Sequence, residues 1–293
     1  MNRYFIYVGV LYFALSMLFF ETSGVQAGSP KMTVKVSEKK VKTGECIWVS
    51  VQSKNAIKKA SVGFAGRHFT LFKGESKKKE VRNAFIPISR AIQSGALPLK
   101  VYVLFESGDR SEKHVRIQVE QTRVRRGKVT LSKKRNALSK NRALLMKEGR
   151  VIGERFRLLT SQRAYELPFI YPAKGRISSP FGAKRNYNGG YSRFHSGLDI
   201  ANNVGTPVRA TNHGTVVLSQ DMAIHGQTVM IDHGWGVLSI YNHLSKRAVV
   251  QGRKVKKGET IGLMGATGVA TGPHVHWGMS IQNIRVDPQF FIQ

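Results

Sequence analysis

Residues 30 to 120 carry apolar side chains in short runs that alternate with polar ones. Residues 32 to 36 alternate strictly, and residues 47–51, 60–64, 85–88, 99–105 and 115–119 are rich in Val, Ile and Phe. Period-two patterning of this kind predicts β-strands. Charged and glycine-bearing turns separate the runs. Pro87 lies inside one of them and predicts an edge strand or a bulge there, because proline donates no ladder hydrogen bond. About six or seven short strands in about 90 residues predict an immunoglobulin-like antiparallel sandwich. Residues 121–165 differ. Arg123, Arg125, Arg126, Lys128, Lys133, Lys134 and Arg135 form a dense basic stretch. From Lys133 to Leu159 apolar residues recur at weakly helical spacing, so this segment reads as a basic linker with a helix or two. After the prolines of residues 167–172, short Val- and Ile-rich runs alternate with many glycines, which predicts a compact antiparallel β domain over residues 166–293. The expected fold class is all-β with a short helical linker.

One apolar run fits none of these elements. Residues 4 to 20 are almost uninterruptedly apolar, follow Asn2 and Arg3, and precede Val25-Gln26-Ala27. That order reads as a signal peptide over residues 1–27, with a mature chain starting near Gly28. An uncleaved membrane anchor is the rival reading, since the run is at the short end of the spanning range. Either way the chain is expected to be exported, periplasmic or associated with the cell wall. The single cysteine, Cys46, leaves no internal disulfide and reads as a small buried hydrophobe.

Charge sharpens the division. The formal net charge is +30, of which residues 28–170 carry +22 and residues 171–293 carry +8. An excess this large implies an anionic partner. For an exported chain that means acidic wall polymers or lipid headgroups, and no nucleic acid is expected.

Seven of the nine histidines lie after residue 190. His195 and Asp199 stand four apart, and His274 and His276 stand two apart. On a strand, residues i and i+2 face one side, so the pair can point into one groove. Zinc takes imidazole and carboxylate ligands, and a catalytic site uses three of them with a fourth place open. His195, Asp199 and one member of the His274/His276 pair would supply two nitrogens and one oxygen.

The last 120 or so residues resemble the lysostaphin-type (LytM-like) zinc metallopeptidases. The resemblance rests on residues 177–182, on His195-Ser196-Gly197-Leu198-Asp199-Ile200-Ala201, and on residues 205–208 and 231–234. It continues through Tyr241-Asn242-His243-Leu244-Ser245 and from Gly268 to Thr271-Gly272-Pro273-His274-Val275-His276-Trp277. It implies Zn2+ held by His195, Asp199 and His276, with His243 and His274 catalytic. In that scheme zinc lowers the pKa of water to about 7. His274 would act as base and His243 would stabilise the oxyanion, or the two would exchange roles. The implied function is a zinc-dependent endopeptidase that hydrolyses stem-peptide cross-links or bridges of peptidoglycan. The alternative is a non-catalytic wall-binding activator of another hydrolase, for which five matched site residues have no use. His213, His225 and His233 match no ligand position, and His68 and His114 read as surface or packing residues. Asn186 or Asn188 could occupy an open zinc position, as an asparagine does in latent relatives, or could simply form a turn.

Overall fold

The computed structural model describes residues 30–76 and 78–292. The expected signal segment lies outside them. Among the described residues no helix is long and apolar enough to cross a membrane.

Upstream, nine strands form two sheets. One has the order Met32–Val36, Cys46–Ser53, Glu80–Pro87, Phe72–Lys73. The other has the order Lys40–Lys42, Arg110–Glu120, Gly95–Phe105, Ile57–Phe64, Arg67–Thr70. The alternation seen in the sequence is what packs them. Leu99, Val101, Val103 and Phe105 are buried while Lys100, Tyr102 and Leu104 between them are not. These residues join Ile47, Val49 and Val51 of the first sheet in one core. The edge-strand expectation for Pro87 does not hold. Its strand is flanked on both sides, and Pro87 is the final residue, opposite Cys46. The second neighbour reaches only Arg82 and Asn83, so the missing N–H interrupts no ladder. Cys46 is buried, and burial pushes its thiol pKa well up.

Two helices follow, α1 (Lys133–Lys140) and α2 (Arg142–Phe156). Ser132 caps the first through its hydroxyl, and Asn141 caps the second, its side-chain oxygen accepting from Leu144 N at 3.1 Å. Ile152 and Phe156 of α2 pack against Leu218, Met222, Met230, Leu238 and Ile240. The segment also contributes a strand that the pattern did not predict. Arg126–Val129 runs parallel to Lys184–Tyr187, which pairs in turn with Tyr191–Phe194.

A ten-stranded sheet makes up the C-terminal part. Its main path runs Arg176–Ser179, Leu198–Ala201, His274–Ile281, Val237–Arg247, Gly226–Asp232, Gly214–Met222 and Lys254–Val255. The upstream sheets are not separate from it in packing. Trp48 stacks on Trp235 at 6.2 Å, Phe72 stacks on the same indole at 5.9 Å, and Phe85 meets Phe291 edge-on at 5.2 Å. One apolar core therefore runs through both parts.

Candidate metal centre

The sheet register brings the chemistry together. In the ladder between Leu198–Ala201 and His274–Ile281, Asp199 lies directly opposite His276. Directly opposed residues share a face, so the carboxylate and the imidazole meet. His195 arrives from the loop just before the first strand. Gly197 keeps that approach open: a Cβ there would sit 2.4 Å from the Trp277 carbonyl oxygen and 2.8 Å from the His276 ring.

His243 needs a special device. Its strand pairs Asn242 with His276, so a regular strand would turn His243 to the opposite face. Instead the ladder to Gly226–Asp232 slips, with Gln227 opposite Leu244 and Val229 opposite Tyr241. Asn242 and His243 together face the single residue Thr228, which makes a β-bulge. His243 has φ +65°, in the left-handed region that a non-glycine residue adopts only when its surroundings hold it there. The bulge turns its ring to within 4.9 Å of the His274 ring and 6.3 Å of the His276 ring.

His195 Nε2, His276 Nδ1 and Asp199 Oδ1 lie 2.9 Å from one another on all three sides. All three residues are buried. Their hydrogen bonding shows which atoms are free to bind a metal. His195 Nδ1–H donates to the Pro180 carbonyl at 2.8 Å, which leaves Nε2 as a bare lone pair. His243 Nδ1–H donates to the Thr267 carbonyl at 2.8 Å and His274 Nδ1–H to that of Gly272 at 2.9 Å. Both therefore present Nε2 lone pairs. Burial, reinforced by its histidine neighbours, presses the His243 pKa well below the ordinary imidazole value. Burial likewise pushes His276 down to about 3. Burial would raise the Asp199 carboxyl, but the adjacent His195 and His276 imidazoles hold it well below the usual range. The set is thus two neutral nitrogens and one carboxylate oxygen converging on a point. A tetrahedral zinc ion with bonds of about 2.0–2.1 Å spaces its donors roughly 3.4 Å apart, so this triangle fits after each side opens by about half an ångström.

The other carboxylate oxygen of Asp199 is engaged elsewhere. Arg185 holds Oδ2 through Nη2, and the same guanidinium reaches Ser179 Oγ through Nε at 3.2 Å. His274 Nε2 is 3.8 Å from Oδ2. Sequence reasoning missed Arg185. Asn188 makes no approach to the centre: its side chain exchanges two hydrogen bonds with the main chain of Leu131, and φ is +47°. The turn reading is the one that describes it. Residues 131–139 contact both the segment 188–191 and the residue before Thr267. Ser139 accepts from Tyr191, and Arg135 reaches the Ala266 carbonyl at 3.2 Å. Of the remaining histidines, His213 is near Glu166, His225 bonds Glu148, and His233 is fully buried between the His213 carbonyl and Ser239. His68 and His114 are exposed.

A β-sheet carrying a buried His-Asp-His triangle with two more histidines beside it is a candidate metal centre. Residues 193–288 match Peptidase family M23. The C-terminal part of the chain belongs to this family, of the LytM or lysostaphin type. A DD-carboxypeptidase/endopeptidase, Mpg, of Neisseria meningitidis is 41% identical over 121 residues, covering 41% of this chain and 27% of its own. The peptidoglycan DD-endopeptidase ShyA of Vibrio cholerae is 40% identical over 124 residues, covering 41% of this chain and 28% of its own. The chain thus spans little more than a quarter of the length of these curated relatives. A crystal structure of a peptidase M23 protein from Pseudomonas aeruginosa superposes with TM-score 0.59 at 27% identity, covering 83% of this chain and 92% of that one.

Proposed function

We propose that the protein is an exported zinc-dependent endopeptidase that hydrolyses peptide cross-links or bridges of bacterial peptidoglycan. The observation that carries this reading is the triangle of three donor atoms from His195, Asp199 and His276 with the rings of two further histidines beside it. The name of the Vibrio cholerae relative, a peptidoglycan DD-endopeptidase, supplies the substrate class.

His195, Asp199 and His276 would hold the zinc. When bound, zinc supplies Lewis acidity toward the scissile carbonyl and the attacking water. The remaining steps belong to the chain. His274 accepts a proton at Nε2 as general base and returns it to the leaving amine. His243 faces the developing charge. Because its Nδ1–H is committed to Thr267, it presents a lone pair when neutral and stabilises an oxyanion only after Nε2 has taken a proton from the attacking water. Arg185 keeps one oxygen of Asp199 turned away, so the carboxylate offers a single oxygen to the metal. Peptidoglycan is the proposed partner, and the basic upstream half would add attraction to anionic wall polymers or lipid headgroups.

A zymogram on purified peptidoglycan tests the reading. Clearing is expected with the wild-type chain, is expected to vanish with a chelator, and should return with added zinc. A chain that binds peptidoglycan but never clears it would instead support the activator role.

A further inference from the structure

Helix α2 inserts a carboxylate behind the site. Glu148 is only 5% exposed. Its Oε1 accepts from Ile224 N at 3.0 Å, and its Oε2 accepts from His225 N at 3.2 Å and from His225 Nδ1 at 2.6 Å. Burial works against its charge, yet these donors hold its pKa below the ordinary carboxylate value, so it stays ionised. The same two residues then present their carbonyls to the site. His243 N donates to the His225 carbonyl at 2.9 Å, and Val269 N donates to that of Ile224 at 2.8 Å. Thr267, whose carbonyl fixes the His243 ring, closes the unit: its Oγ1 accepts from Gln227 N at 3.0 Å and donates to the Leu244 carbonyl at 2.7 Å. Residues 224–227 are thus pinned to α2 on one side and to the His243 bulge on the other.

We propose that Glu148 is a positioning residue for His243, acting through the 224–225 main chain, and that α2 is thereby a working part of the catalytic unit although it lies outside the family match at 193–288. The proposal rests on reading His243 as a catalytic group. The physical case is the bulge itself. A histidine at positive φ keeps that conformation only where its surroundings over-determine it. The His225 carbonyl is the group that holds its amide, and Glu148 is the charged acceptor that fixes the residue carrying that carbonyl, through the His225 amide and ring. Charge-assisted hydrogen bonds are the stronger kind, and a buried carboxylate with three donors has no alternative arrangement to relax into. Removing the carboxylate frees the loop, and a displacement of about 1 Å at a catalytic group costs on the order of a hundredfold in turnover.

The test compares the zinc-loaded full chain with Glu148→Ala and Glu148→Gln. Amide hydrogen exchange reads the positioning without reference to activity. At His243 and Val269 it should become at least about tenfold faster in Glu148→Ala, while His274–Ile281 keeps its protection. On a soluble cross-linked muropeptide dimer, kcat should fall about a hundredfold with KM and bound zinc unchanged. Glu148→Gln keeps one oxygen for the 224 and 225 amides and should recover much of both readouts. Unchanged protection at His243, faster exchange across the whole sheet, or zinc lost in step with activity would each overturn the proposal. A wild-type chain inert on the muropeptide would sink the peptidase reading, and the exchange data would still decide whether Glu148 holds the bulge.

Discussion

Three of the four clustered histidines reach the site with Nδ1–H already given to a main-chain carbonyl: His195 to Pro180, His243 to Thr267 and His274 to Gly272. The backbone thereby turns Nε2 of each toward the centre, and position alone separates the proposed ligand from the proposed proton-transfer groups. His195→Ala, Asp199→Ala and His276→Ala are each expected to lose most bound zinc along with activity. His243→Ala and His274→Ala are expected to keep zinc and to lose roughly a hundredfold or more in turnover. Metal analysis beside kinetics checks both, and wild-type zinc in Asp199→Ala would remove that residue from the set. His233 makes a separate prediction about stability. Burial pushes its pKa to about 4, against an ordinary value of 6.5. The native state therefore refuses a proton that the unfolded chain accepts below pH 6.5, and stability is lost as pH falls from 6.5 toward 4. Between pH 7 and 4.5 this amounts to about 2.5 kcal/mol, at 1.36 kcal/mol per unit. Urea titrations of metal-free wild type and His233→Gln should show the variant losing less over that range. At this scale the sequence was legible wherever residue type and spacing carry the chemistry, as in His195 to Asp199 and His274 to His276. Arg185 was hidden, because a guanidinium on a carboxylate fourteen residues away leaves no local pattern.

At the level of elements, strand alternation explains the His276–Asp199 meeting but not His243. Nothing in Tyr241-Asn242-His243 announces a left-handed residue, and only pairing with Gly226–Asp232 reveals that Asn242 and His243 share one partner. Helix α2 was visible as a weak period, and one further signal lay within it. Glu148 stands on the same stripe as Ile152 and Phe156, where an acid is out of place unless something receives it. Two glycines test these connections with opposite readouts. A Cβ on Gly197 meets the Trp277 carbonyl and the His276 ring, so Gly197→Ala is expected to weaken zinc binding at least about tenfold, measured by chelator competition. Gly268 has φ +68°, and a Cβ there would lie 2.4 Å from the Ile224 carbonyl oxygen. Gly268→Ala should therefore disturb the loop behind His243, lowering kcat while zinc stays bound. Matching zinc affinities in the two variants would contradict this division of labour.

Across the whole molecule, the two β parts are tied by apolar packing that their separate patterns do not disclose. Trp48 and Phe85 read as core residues of the upstream strands, yet both reach across, to Trp235 and Phe291. A hydrophobic pattern says that a face is buried and not what buries it. Cutting the chain near residue 165 would expose those aromatics and remove Glu148, so the role of the upstream charge is better tested in the intact chain. Lys58, Lys59, Lys113 and Arg116 are exposed on the five-stranded sheet, distant in sequence from every residue of the metal centre. Exposed charges attract over about 10 Å at 0.1 M salt and are screened as salt rises. Binding of the full chain to insoluble wall should weaken with added salt. Replacing these four residues by glutamine should weaken binding at low salt and flatten its salt dependence. Hydrolysis of a small soluble peptide should stay at the wild-type rate, because neither the donor triangle nor the Glu148 connection is touched. Wall binding that is indifferent to salt and to the four substitutions would assign recognition to the C-terminal groove alone.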